Sequence, residues 1–324
     1  MILAPLRGVT IRCFRETFAD AIREAGFTEA VTPFITAMRG YDPLQDRELV
    51  NRTTEQPNNR TIRLTPQFIG KDPVALGDCL LRVKAAGFDT ADLNCGCPFP
   101  MVRNKGRGSG ILRTPDVLRQ MLEVGCATMG PGKFSIKARL GVDRNDELLK
   151  LMPLINLFPL RFLTVHARNA RQMYEGSCDV EMLREVEKVA KVPIVRNGDL
   201  DVCGTGILPA RTGETPVPQG DAALGRTGET PVPQGDAALG RTGETPVPRV
   251  MIGRSFIRAL GARDDIRELL MRYIAASQAE LSGDRPVLGR MKELIAYWKE
   301  LPQWKRRWDI VKMCRTVDEL KSVI

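Results

Sequence analysis

The sequence predicts an α/β fold, a (β/α)8 TIM barrel followed by a C-terminal helical-bundle domain, on three observations. Eight short β-like runs alternate with segments of helical spacing, which implies a parallel sheet. Polar residues of these runs gather at their C-terminal ends, namely Gln67, Asn94, Lys137, His166, Asn197 and Arg254, and that is the end at which a barrel collects its chemistry. The first run is followed by Pro5-Leu6-Arg7-Gly8, whereas an open doubly wound sheet would place a glycine-rich turn there.

In chain order the predicted strands are 2–6, 30–34, 64–69, 90–94, 134–140, 162–166, 193–197 and 250–253. Helical spacing fills 74–86, 115–128 and 180–190 between them. The apolar stretch 148–163 is interrupted by Pro153, Asn156, Pro159 and Arg161, so it is not expected to span a bilayer.

One region breaks the alternation. The run 211–225 recurs letter for letter at 226–240, then begins a third time at Arg241 and stops at Pro248. Each unit carries two prolines and three glycines, too few large apolar groups for a packed element, and the copies are too few for a solenoid. The insertion at 204–248 is therefore expected to be a disordered or loosely extended loop replacing most of the helix that should join the seventh strand to the eighth.

Beyond Asp264 no further strand is predicted. Helical patterns cover 266–281, 291–301, 304–314 and 317–323, with Pro302 separating the second from the third. The expected division is a barrel over 1–262 and a helical domain over 263–324. The latter holds all three tryptophans, Trp298, Trp304 and Trp308, which fit either a helical core or a base-stacking surface. From Leu281 onward there are ten Lys/Arg against six Asp/Glu, and Lys305-Arg306-Arg307 reads as a phosphate contact.

The chain has 324 residues, and its 43% apolar content supports a sizeable core. A net charge of +9 points to a polyanionic partner, with nucleic acid the leading class. Eight cysteines without regular spacing read as free thiols in a reducing compartment, and the opening Met1-Ile2-Leu3-Ala4-Pro5 is too short for a secretory leader, so a cytoplasmic protein is expected.

The most informative stretch is Asn94-Cys95-Gly96-Cys97-Pro98, which places a thiol at the end of a strand and ahead of the basic loop Lys105-Gly106-Arg107-Gly108-Ser109-Gly110. A zinc site would need a second close pair of ligands, which neither Cys79 nor Cys126 supplies, so no metal is expected. Cys13, Cys79, Cys126 and Cys314 read as buried structural thiols. Cys95 is expected to face away from Cys97 and is given no catalytic role.

Together these segments resemble the tRNA-dihydrouridine synthase family, flavin barrels that reduce uridines in tRNA. The resemblance rests on Ala4-Pro5 with Gly8-Val9-Thr10, Pro66-Gln67-Phe68-Ile69-Gly70, Leu93-Asn94-Cys95-Gly96-Cys97-Pro98, Lys137-Ala138-Arg139-Leu140-Gly141, Val165-His166-Ala167-Arg168, Asn197-Gly198-Asp199 and Val250-Met251-Ile252-Gly253-Arg254. The cysteine loop, with Arg290-Met291-Lys292 and Tyr297-Trp298, is most similar to the bacterial subfamily that modifies position 16 of the D-loop.

The resemblance implies FMN as cofactor, NADPH as reductant and tRNA as substrate, acted on by a monomer. It implies that Pro5, Leu6 and Arg7 line the flavin ring, that Gln67 and Lys137 bond its polar edge, and that Asn197, Gly198, Asp199, Gly253 and Arg254 hold the ribityl and phosphate end. His166 is expected at flavin or substrate, Asn94 and Arg168 at the substrate, and Cys97 as general acid. A thiol acting as an acid needs no activating base, which fits the absence of a Cys/His pair.

The sequence departs from the family pattern at Arg7, at Ile11-Arg12 and through the repeat. Two rival readings are a flavin barrel acting on a free pyrimidine or enone, similar to dihydroorotate dehydrogenases, and an RNA-binding protein that has lost its flavin.

Overall fold

The computed structural model describes residues 1–49, 62–198 and 250–324. The repeat 211–248 and Asp199 lie outside the described residues, so the expectations attached to them are not addressed by the fold.

The first strand, β1 (Ile2–Leu3), leads into the short helices α1 (Arg12–Thr17) and α2 (Ala19–Glu24). Two strands of the barrel are each interrupted: β2 (Glu29–Val31) is followed by β3 (Ile35–Thr36), which lies just past the predicted 30–34, and the predicted 64–69 is split into β4 (Arg63–Thr65) and β5 (Gln67–Ile69). The breaks fall at Pro33 and Pro66, which have no N–H for the ladder. Helix α3 (Pro73–Ala85) follows, started by Asp72, whose carboxylate accepts from the N–H groups of Val74 and Ala75. Next come β6 (Ala91–Cys95), the single turn α4 (Pro100–Arg103), α5 (Pro115–Met129), β7 (Phe134–Gly141), α6 (Glu147–Ile155), β8 (Leu163–Asn169), α7 (Val180–Val189) and β9 (Ile194–Asn197). The last strand is β10 (Met251–Ile252), and α8 (Arg254–Leu260) follows it.

Every strand pair is parallel, and the register closes the ring. β10, β1, β2 and β4 pair in that order, as do β3, β5, β6, β7, β8 and β9. Arg196 bridges Val250, joining β9 to β10 and completing an eight-stranded barrel.

Four further helices end the chain: α9 (Ile266–Glu280), α10 (Asp284–Ile295), α11 (Pro302–Met313) and α12 (Val317–Val323). Helix α10 begins seven residues before the predicted 291, because Pro286 sits in its first turn, where a proline starts a helix instead of breaking it. Among the described residues no helix is long and apolar enough to cross a membrane.

The apolar residues form two large clusters. One fills the space between β5–β8 and α3, α5, α6 and α7. The other joins α1, α2 and α8 to the C-terminal helices: Phe14 and Phe18 stack at 4.5 Å, and Tyr273 meets both edge-on. The helices after 262 thus have no core separate from the barrel. Trp298 and Trp304 belong to this cluster, with their indole N–H groups donated to the carbonyls of Ile257 and Gly261 at 2.6 and 2.8 Å. Of the two roles open to them from sequence, both are core residues, and base stacking is excluded by their burial.

Candidate active site

The cysteine loop is built on a directed line of side-chain amides. At its base the buried Asp92 carboxylate accepts from Ser135 Oγ at 2.6 Å and from Gln67 Nε2 at 2.7 Å. Gln67 Oε1 accepts from Asn94 Nδ2 at 2.8 Å, and Asn94 Oδ1 accepts the backbone N–H of Gly96 at 3.1 Å and that of Cys97. Burial raises Asp92 to about 6, against the pull of the Ser135 and Gln67 hydrogen bonds.

Strict strand alternation would put Cys95 and Cys97 on the same face, so alternation is not what separates them. The strand ends at Cys95, and Gly96 turns the chain. Cys95 is enclosed in the core, whereas Cys97 borders a cavity. The basic loop then returns to Cys97: Ser109 N–H donates to Cys97 O at 3.0 Å, and Gly108, at φ 56°, has room for no Cβ, which would lie 2.8 Å from Cys97 Cβ. Burial pushes the Cys97 thiol above its usual value despite the opposing pull of the Phe99 N–H, Arg7 and Arg139, so it is protonated at neutral pH.

The cavity, about 400 Å³, opens at the C-terminal ends of the strands. Its lining joins Pro5, Leu6, Arg7, Asn94, Cys97, Lys137, His166, Asn197, Gly198, Gly253 and Arg254 from the sequence-predicted set. Cations dominate it, with Glu293 as the one carboxylate of the described lining. Lys137 Nζ donates to Asn197 Oδ1 at 2.7 Å, and Asn197 Nδ2 donates to Met251 O at 2.8 Å, which ties β7, β9 and β10 together. Burial, reinforced by Arg139, lowers Lys137 to about 7. Burial also holds His166 well below its ordinary value, with Arg139, Lys137, Arg168 and Arg254 pushing the same way, so the imidazole is neutral.

The remaining predicted site residues lie elsewhere. Gln67 is beneath the cavity floor, with Asp92 at one end of its amide and Asn94 at the other. Arg168 is buried behind His166 and donates to the carbonyls of Glu175 and Gly176 and to Cys178 Sγ. Lys305, Arg306 and Arg307 are exposed on α11 and do not line the cavity; the Arg307 guanidinium lies over the Trp304 ring at 5.8 Å.

Several lining residues had no signal in the sequence reading: Phe34, Tyr174, Arg258 and Glu293. Tyr174 lies between two guanidiniums, with Arg139 at 5.3 Å and Arg254 at 4.8 Å from its ring centroid. Arg139 also donates to Gly96 O, Asn169 O and Met173 O, which joins the cysteine loop to the loop carrying Tyr174. Glu293 and Tyr297 are four residues apart on one helical face, a spacing that could have been read as a shared surface.

Comparison with known proteins gives a consistent result. The chain is 28% identical over 204 residues to tRNA-dihydrouridine synthase B of Pseudomonas aeruginosa, covering 62% of this chain and 58% of that protein. It is 26% identical over 205 residues to tRNA-dihydrouridine synthase B of Salmonella typhimurium (62% and 60% covered), and 24% identical over 206 residues to tRNA-dihydrouridine(16) synthase of the same organism (62% and 64%). The chain thus spans about three-fifths of the length of these curated relatives. Among solved structures, a variant of NCR from Zymomonas mobilis matches with a TM-score of 0.47 at 12% identity, covering 84% of this chain and 86% of that one. The family model described as dihydrouridine synthase (Dus) matches residues 2–204, well over half of the sequence, and the chain belongs to that family.

Proposed function

We propose that this protein is an FMN-dependent tRNA-dihydrouridine synthase that uses NADPH to reduce the C5=C6 bond of a D-loop uridine, with position 16 suggested by the cysteine loop together with Arg290-Met291-Lys292 and Tyr297-Trp298. The observation that carries this reading is a buried thiol, Cys97, on the wall of a cation-lined cavity at the C-terminal mouth of the barrel.

The cavity suits a flavin mononucleotide in two respects. Gly198 and Gly253 put backbone without side chains on the cavity wall, where a Cβ would lie 2.6 Å from Cys178 Sγ or 3.0 Å from Ala4 Cβ. Arg254, beside Gly253 at the start of α8, offers a guanidinium to a phosphate. Pro5, Leu6 and Arg7 would line the ring, Lys137 and His166 would face its polar edge, and Asn197, Gly198 and Gly253 would hold the ribityl end. Bound there and reduced by NADPH, FMN would supply the hydride for C6 of the uracil.

The chain's own groups do the rest. Cys97 Sγ–H gives its proton to C5, and because burial keeps the thiol protonated no base is needed beside it. Asn94 and Arg139 hold the loop that carries the thiol. Lys137, lowered by burial to about 7, would gain a proton when negative charge enters the cavity, which stabilises that charge without a mobile counter-ion. The uridine has to leave its stack to reach the thiol, and the basic surface of the chain favours the polyanion that carries it.

The test is reconstitution with FMN, addition of NADPH and unmodified tRNA, and mass spectrometry to locate dihydrouridine. Cys97→Ala should still be reduced by NADPH but lose tRNA reduction by about 10²–10⁴-fold. A Cys97→Ala protein that forms dihydrouridine at the normal rate would remove the thiol from the reaction.

A further inference from the structure

We propose that Phe99 is a stacking platform for an unpaired nucleobase, and that Lys71, Arg103, Lys105 and Arg107 around it take the phosphates of that nucleotide, the neighbour of the one in the cavity. The inference rests on the tRNA reading above and adds a second subsite to it.

Phe99 borders the cavity yet leaves 47% of its surface in water, and Met101, two residues on, leaves 80%. Neither side chain belongs to a core cluster. The backbone under the ring is constrained: Phe99 lies between Pro98 and Pro100, and its carbonyl accepts from Val102 and Arg103, both at 2.9 Å. An aromatic ring held in place before binding loses little freedom when a base stacks on it.

The segment that carries the ring bears charge of one sign. No Asp or Glu occurs from residue 93 to 115. Lys71 reaches over the loop, its Nζ 3.9 Å from where a Cβ on Gly106 would be. Among the described residues Arg103, Lys105 and Arg107 have no ion-pair partner, and the Nε atoms of Arg103 and Arg107 are shielded from water without a hydrogen-bond acceptor. The loop is closed onto Cys97 by Ser109, so the cations and the ring share one anchored segment beside the thiol.

A ring for the base face with cations for the backbone is the chemistry that recognises single-stranded nucleic acid. Two exposed apolar side chains are too small a patch for a stable protein partner, whose interface buries roughly 800 Å² on each side.

The experiment measures binding of intact tRNA to the full chain over a series of salt concentrations, with melting curves to confirm folding. Phe99→Ala should weaken binding about five- to hundredfold with the salt slope unchanged, and Phe99→Trp should restore it. A Lys105→Ala/Arg107→Ala double variant should lower the slope of log K against log salt by about 1.4, the value for two single-strand phosphate contacts. Unchanged affinity in Phe99→Ala, or an unchanged slope in the double variant, overturns the proposal while leaving the function above intact. A changed sedimentation coefficient in Phe99→Ala with tRNA affinity preserved also overturns it, by marking a protein contact. Failure of the unaltered protein to bind tRNA removes both readings together.

Discussion

Asn94 accepts the backbone N–H of Cys97 on Oδ1 while its Nδ2 donates to Gln67 at 2.8 Å. The direction of this amide is set two residues below it. Asp92 accepts from Gln67 Nε2, so Gln67 presents Oε1 to Asn94, Asn94 must donate from Nδ2, and Oδ1 is left for the cysteine loop. A buried carboxylate thereby orients a thiol it does not touch. Asn94→Ala, which removes the acceptor shared by the Gly96 and Cys97 N–H groups, should reduce tRNA turnover by about 10–100-fold. Asn94→Asp keeps an acceptor for the loop and should retain more activity; steady-state formation of dihydrouridine by both variants decides it.

Lys137 gives the protein an unusual pH dependence. It titrates at about 7 when folded and near its ordinary 10.5 when unfolded, so between those values the unfolded chain holds the extra proton. Stability contributed at this position therefore rises with pH across that window, and below about 7 the full cost of burying an ammonium is present. Lys137→Met should raise the melting temperature at about pH 6, with the gain gone by about pH 10. Calorimetry in buffers of differing ionisation enthalpy should show proton uptake by the unaltered protein, and less by the variant, when FMN binds at about pH 8.

Gly198 is at φ 132°, and a Cβ there would meet Cys178 Sγ at 2.6 Å and His166 Cδ2 at 3.2 Å. Gly198→Ala is expected to cost about 1–3 kcal/mol in unfolding free energy and to lower retained flavin. Gly253→Ala, whose nearest contact is Ala4 Cβ at 3.0 Å, should cost less stability than Gly198→Ala. Chemical denaturation with parallel measurement of flavin absorbance compares the two.

Trp304 is a core residue, its ring 4.9 Å from that of Trp298 and its N–H bonded to Gly261. Trp304→Ala should destabilise the protein by about 3–5 kcal/mol. Below its lowered melting temperature the variant should bind tRNA as the unaltered chain does. A large loss of tRNA affinity in the folded variant would instead mark the indole as an RNA contact.

Much of this architecture was legible before any coordinates. The 74–86, 115–128 and 180–190 patterns differ from helices Pro73–Ala85, Pro115–Met129 and Val180–Val189 by a residue or so at their ends, because apolar periodicity follows local geometry. The helix Asp284–Ile295 starts ahead of the predicted 291–301 pattern, its first turn holding Pro286, because a proline at a helix start leaves no apolar periodicity to read. That Tyr174 and Glu293 share one cavity is a different matter: they reach it from segments more than a hundred residues apart, and no local pattern records that meeting.

The order of strands and helices, the thiol after the fourth strand and the glycines at Gly198 and Gly253 were determined by sequence alone, since each depends on neighbours along the chain. The burial of the Cys97 thiol on the cavity wall, the lowered Lys137, the placing of Gln67 beneath the floor and the approach of Arg139 and Arg254 to the Tyr174 ring were decided only by the tertiary structure. Burial and the distance between remote segments set those properties, and neither exists until the barrel closes.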